Sequence, residues 1–335
     1  MTTPTNTLLT TGGSAVVGQR EDLSNMISRI DPAETIIYSW CGSGSATNPT
    51  AHDWQTVTLA APALGTDAEG ETFANLAPKR TTKLSNVCEI HSKVYGVSGT
   101  AQATNTAGGT GSLNFQRLHH GLELRKVLEL MCFKLQAKST SDPRVAAGLP
   151  AFAGVASVGS GGTTSLGTGA QALVWGTERA LTADLLRTNL KTSWGYGAQT
   201  SMLFMSAGQK LAFDAAIPID NIADNNVAIT GEGGVITDTV AIWRSAFGDI
   251  KVGMDRIMDE VGNTYQWAQQ MIIGVDERST YRPKICPLTG RAFVQDKLAK
   301  VADADNEAVV WEGCIEVPNP RAIMVVGALS DAYDS

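Results

Sequence analysis

The feature that most limits the fold is the stretch from residue 35 to residue 104. It is polar and strand-like, with the segments TIIYSW, WQTVTLA and VCEIHSKVYGVSGT, and a charged, glycine-containing turn, DAEGETF, lies in its middle. The pattern predicts two long extended arms joined at a tip, a hairpin ribbon. A two-stranded ribbon is marginal by itself because it buries too little of its own surface. Extended, it must lie against something else. Two short sheets inside one compact domain are the alternative, and the alternation of residues fits both.

What flanks this stretch is different in kind. Residues 1–18 are rich in Thr, Gly and Ser and carry no charge, which predicts a draped arm. EDLSNMISRIDP then sets Leu23, Met26, Ile27 and Ile30 at helical spacing with Asp31-Pro32 as the stop, one or two turns of amphipathic helix. After a joint, NTAGGTGS, residues 112–138 carry the strongest helical signal: Leu124, Leu128, Met131 and Leu135 form one apolar stripe, and Arg125 and Glu129 form an i,i+4 pair. Gly121 weakens its middle by about 1 kcal/mol relative to Ala. Five basic residues on it (Arg117, Arg125, Lys126, Lys134, Lys138) face two acids (Glu123, Glu129), a local positive surplus in an acidic chain.

Beyond it, residues 142–176 are glycine-rich and predict a loop or short hairpin. Residues 182–194 read as a Thr-capped helix with Leu185, Leu186 and Leu190 on one face, SMLFMS as a buried strand and AGQKLAFDAA as a further helix. Residues 240–258 give two strands about Phe247-Gly248-Asp249, and the chain closes with strands at 307–317 and 321–329 around a Pro-Asn-Pro turn. The fold class is α+β.

Composition then removes whole classes. The chain has 335 residues, 26 basic and 33 acidic, so bulk charge recruits no nucleic acid. Its apolar runs, such as 322–329, fall well short of the roughly 18 residues of a membrane span, and its first residues lack a basic secretory n-region. A soluble chain with no membrane partner is expected. The five cysteines (Cys41, Cys88, Cys132, Cys286, Cys314) are spread out and lack a CxxC pair, which predicts buried thiols in a reducing compartment. The histidines are His52, His91, His119 and His120; the adjacent pair points about 100° apart on a helix and cannot chelate as an i,i+4 pair does. There is no GxSxG elbow, no phosphate loop and no HExxH. DADNE at 303–307 fails as a calcium loop because the sixth and twelfth places hold Ala308 and Cys314. No catalytic, cofactor-binding or metal residue is expected, and no enzyme.

In their order, these pieces resemble the major capsid proteins of tailed bacteriophages, the Hong Kong 97 fold. The stretches EDLSNMISRIDPAET, RTTKLSNVCEIHSKVYGVSGT, SAFGDIKVGMDRIM and AVVWEGCIEVPNPRAIMVVGAL carry the resemblance, which covers about residues 20–330 and departs at the glycine-rich insertion of 157–169. It implies an α+β capsid fold: an N-terminal arm at 1–34, an extended E-loop at 35–104, a P-domain spine helix within 105–149, an A-domain at 150–239 and 262–300, and P-domain strands at 240–261 and 301–335. It implies a virion coat assembled in the host cytoplasm as pentamers and hexamers, with a portal protein at one vertex and packaged double-stranded DNA bound without sequence specificity, and leaves open whether a decoration protein binds. A long helical scaffolding segment ahead of the arm is not read, which points to a separate scaffolding protein or to none. The best candidates for subunit contacts are Trp54, Glu69 and Arg80, since aromatic and Arg side chains dominate interfaces. Arg125, Lys126, Lys134 and Lys138 are the candidate interior face toward DNA. An encapsulin-type nanocompartment shell, a soluble α+β enzyme and a tail or baseplate component are the competing readings.

Overall fold

The computed structural model describes residues 30, 33–65, 69–70, 72, 77–104, 107–217, 242–300 and 302–330. The expected draped arm and the helix in EDLSNMISRIDP, Ile30 apart, lie outside the described residues, as does 218–241 of the expected A-domain.

In chain order the elements are α1 (Ile36–Trp40), β1 (Gly42–Ser43), β2 (Ala51–Thr56), β3 (Thr82–Val87), β4 (Glu89–Ser98), α2 (Gly99–Ala103) and α3 (Leu113–Phe133). There follow β5 (Val155–Ser157), α4 (Ala183–Gly195), β6 (Met202–Met205), α5 (Ala207–Ala216), β7 (Ile242–Ser245), β8 (Gly248–Met254) and α6 (Arg256–Glu260). The chain ends with β9 (Ile272–Val275), β10 (Lys284–Pro287), β11 (Val294–Lys297), β12 (Ala304–Glu316) and β13 (Ile323–Val326).

Two sheets carry the body. One runs β5-β13-β9-β6-β8-β7, and its strands alternate sides as their period of two requires. Phe204, Ile273, Ile323 and Val325 point into the main core, while Leu203, Met205, Ile272, Met324 and Val326 face a second core roofed by Leu186 and Leu190 of α4 and Phe213 of α5. The other sheet is organised by the long strand β12, which pairs with β10 and β11 along one edge and with β4 along the other. Helix α3 lays its predicted stripe, Leu124, Leu128 and Met131, into the main core beside Trp311 and Ile315 of β12. Ser112 caps it, its hydroxyl accepting from Phe115 N at 3.2 Å. Thr182 and Ser206 cap α4 and α5 in the same manner.

The structure corrects three expectations. IIYSW forms α1 instead of a strand, because the Glu129 carboxylate accepts from the Ile37 and Tyr38 N–H groups at 2.6 and 2.7 Å and so satisfies the first helical turn from outside. Glu129 therefore serves α1 and makes no pair with Arg125. The ribbon is also shorter than 35–104: β2 pairs with β3 from Ala51↔Val87 to Thr56↔Thr82, but the return strand β4 leaves it and joins β12 over ten residues. Finally, α3 stops at Phe133 instead of 138. Beyond it the chain turns extended, and Gly148 lies so close that a Cβ there would meet Lys134 O at 2.2 Å. The glycine-rich segment packs as the expected short hairpin, with Thr163 and Val174 exchanging backbone hydrogen bonds of 2.9 and 3.1 Å.

Candidate assembly surfaces

The ribbon has a fixed root and an uncovered outer part. At the root, Asn86 is fully buried and bonds in three directions: its amide donates to Ile315 O (2.8 Å) and Ala147 O (3.2 Å), and its carbonyl accepts from Ala147 N (2.9 Å). Lys138 Nζ donates to Ser85 O and Oγ at 2.7 and 2.8 Å. Past the paired strands, residues 57–65 and 77–81 are exposed throughout, including Val57, Leu59 and Leu64 at 58, 79 and 108%. These three large apolar side chains lie outside any core of their own chain and are open to solvent.

The candidate contact residues divide on this boundary. Glu69 and Arg80 are exposed on the outer ribbon. Trp54 turns inward within its own chain: its indole lies on Phe152, ring centroids 5.6 Å apart, and packs partly buried against the main core. An aromatic residue on a short polar strand reads as an anchor for a neighbour, but here the body beneath the ribbon supplies the partner.

The basic face of the helix does not survive either. Lys134 lies past the helix end, buried, with Nζ 2.5 Å from Glu89 Oε2. Burial holds its ammonium below the ordinary lysine value against the pull of Glu89. Burial pushes the Glu89 carboxyl up, but hydrogen bonding from His91 and the Lys134 charge overcome it and leave it low. Lys138 is spent on Ser85, and Lys126 pairs with Glu260 at 2.5 Å. Arg125 alone of the four is exposed. Acids from β4 and α6 neutralise two of the four, Lys134 and Lys126, while Lys138 is held by uncharged oxygens of Ser85.

The buried carboxyls went unread in the sequence. Glu307 takes Arg117 at 3.0 Å, the Tyr95 hydroxyl at 3.0 Å and Gln295 at 2.8 Å; Glu312 takes Arg144 and Arg291 at 2.7 and 3.0 Å. Buried acids are tolerable only when paired; the isolation of Glu312 in the apolar run AVVWEGCIEV is the signal that could have found it, whereas Glu307 follows the polar DADN and carries no such signal. All five thiols are buried and free.

The fold with its projecting ribbon defines a subunit of the phage-capsid type. Among solved structures the chain is similar to the Cyanophage A-1(L) capsid asymmetric unit, with a TM-score of 0.63 at 12% identity over 93% of this chain and 97% of that one. The capsid of Cyanophage P-SCSP1u gives 0.60 at 9% over 99% of each, and Gordonia phage Cozz 0.59 at 12% over 96% of each. At these identities the likeness is one of fold. The family model of the SU10 major capsid protein matches residues 3–330, and the chain belongs to that family of phage major capsid proteins. A curated relative, the major capsid protein of Escherichia phage Phieco32, is 32% identical over 123 residues, a stretch that spans only 36% of this chain and 35% of that protein.

Proposed function

We propose that the chain is the repeating coat subunit of a closed icosahedral shell around double-stranded DNA, assembled through pentamers and hexamers in which each ribbon lies across a neighbouring copy. Residues 1–34 act as the arm, the ribbon as the E-loop, α3 as the spine of the P-domain, and 150–239 with 262–300 as the A-domain. A portal protein at one vertex and separate scaffolding and decoration proteins complete the particle. Head-to-tail contacts that close into rings generate such capsomers, and many weak contacts sum at high effective concentration. The observation that carries the reading is the exposed apolar row on the outer ribbon, Val57, Leu59 and Leu64. Family membership favours a virion coat over a nanocompartment shell.

The test is electron microscopy of the expressed full chain beside a variant in which an Asn-Gly turn replaces residues 57–81 and joins β2 directly to β3. Closed shells from the natural chain and only free subunits or capsomers from the variant are expected. Shells of unchanged diameter from the variant would overturn the proposal.

A further inference from the structure

At the root of the ribbon three side chains from separate elements converge: His52 from β2, Cys286 from β10 and Glu316 from the end of β12. Their ligand atoms all lie within 4.8 Å of one another. His52 Nε2 is 2.9 Å and Cys286 Sγ 3.5 Å from the same carboxylate oxygen, Glu316 Oε2. Tetrahedral zinc, with bonds of about 2.0–2.3 Å to N, O and S, holds its ligand atoms roughly 3.2–3.8 Å apart. The two separations to Glu316 Oε2 lie within tenths of an ångström of that range, and His52 and Cys286, at most 4.8 Å apart, need close by no more than about an ångström to admit such an ion.

We propose that His52, Cys286 and Glu316 form a binding site for a divalent transition metal ion of the zinc type, clamping the root of the ribbon to the sheet beneath it. Imidazole, thiolate and carboxylate together are a donor set suited to zinc and unsuited to the oxygen-loving Mg²⁺ or Ca²⁺. Binding displaces the proton that the Cys286 thiol now donates to Glu316 Oε2, while His52 ligates as the neutral imidazole. Cys286 is fully buried, while the His52 and Glu316 side chains keep 18 and 16% exposure, which leaves an entry path and room for water as a fourth ligand. Gly44 lies over the sulfur, where a Cβ would come within 2.3 Å of Sγ. Cys88 and Cys314 pack in the same apolar cluster but stand outside the group of ligand atoms, which leaves the fourth place to water. One cation competes: Lys284 Nζ stands 3.7 Å from Glu316 Oε1, the oxygen turned away from the other two ligands, and is 39% exposed.

The site is complete within one chain, so it is tested on the unassembled full-length protein, stripped with chelator and titrated with Co²⁺ and then Zn²⁺. One Co²⁺ per chain is expected, with a thiolate-to-cobalt charge-transfer band and intense tetrahedral d–d bands that Zn²⁺ displaces. Cys286→Ala removes the charge-transfer band, and His52→Ala weakens uptake about ten-fold or more. Lys284→Ala, a change at an exposed side chain that leaves the core intact, tightens uptake severalfold by removing the competing charge. Absence of saturable uptake by the natural chain, a cobalt band that survives Cys286→Ala, or affinity indifferent to Lys284→Ala would each overturn the assignment.

Discussion

Glu129 is fully buried in the middle of the apolar stripe of α3, and it faces a second buried acid, Asp255, the N-cap of α6. Asp255 Oδ1 accepts from Ile257 N at 2.9 Å, while its buried Oδ2 has no hydrogen-bond donor of its own. A proton shared by the two carboxyls would fill that gap. Burial first, and the charge of Asp255 next, push Glu129 up to about 8 from the usual 4.5, and burial raises Asp255 as well. Because the folded value lies above the unfolded one, the pair's contribution is fully present below about pH 4.5 and is lost as pH climbs through about 8. Asp255→Asn mimics the protonated acid: its amide donates to Glu129, and its carbonyl keeps the cap on Ile257, where Asn serves as well as Asp. Unfolding of the unassembled subunit at pH 5 and pH 9 should show the natural chain losing stability between them, and the variant losing about 1–3 kcal/mol less. An equal loss in both would remove the shared proton.

Among the elements, the root of the ribbon behaves as part of the body. Trp54 rests on Phe152, and Trp54→Ala should destabilise the isolated subunit by about 2 kcal/mol, less than the about 3–5 of a fully buried Trp because its ring is only half covered. A side chain serving only a neighbouring subunit would leave that unfolding midpoint unmoved. The elements legible in sequence were those whose cause is local: the Leu124–Leu128–Met131 stripe, the Thr182 and Ser206 caps, the turn at Gly248 with its positive φ of 126°, and the closing strands. Those misread have causes far along the chain. Helix α1 is capped by an acid 92 residues away, and β4 leaves the ribbon because β12, more than 200 residues on, offers it a ten-residue edge. At 3.6 residues per turn Lys134 and Lys138 fall about 180° and 220° round from Arg125, so helical spacing already divides the four, and the positions of Glu89 and Ser85 then tie the two lysines down. The convergence of His52 with Cys286 and Glu316 has the same character, since no spacing joins residues 52, 286 and 316.

At the scale of the whole molecule, stability and assembly reside in different parts of one chain. The two cores lie between α3, α4, α5 and the sheets, and none of the described residues of the outer ribbon belongs to either. Its apolar residues Val57, Leu59 and Leu64 are open to water in the single subunit. Changing all three to Ser therefore removes no contact within the subunit, and surface changes of this kind shift stability by no more than about 0.5 kcal/mol. On the proposed assembly the same three side chains would be buried once per subunit, and each lost burial would be worth about 1.5–3 kcal/mol. The loss recurs at every copy, so a modest change per contact becomes a large change in the concentration at which shells close. Thermal unfolding of the variant should match the natural chain, while light scattering during assembly should require a concentration at least about ten-fold higher. Matched unfolding with unchanged assembly would mean that the ribbon is not where the copies meet; lowered unfolding would mean that the ribbon folds onto its own body after all.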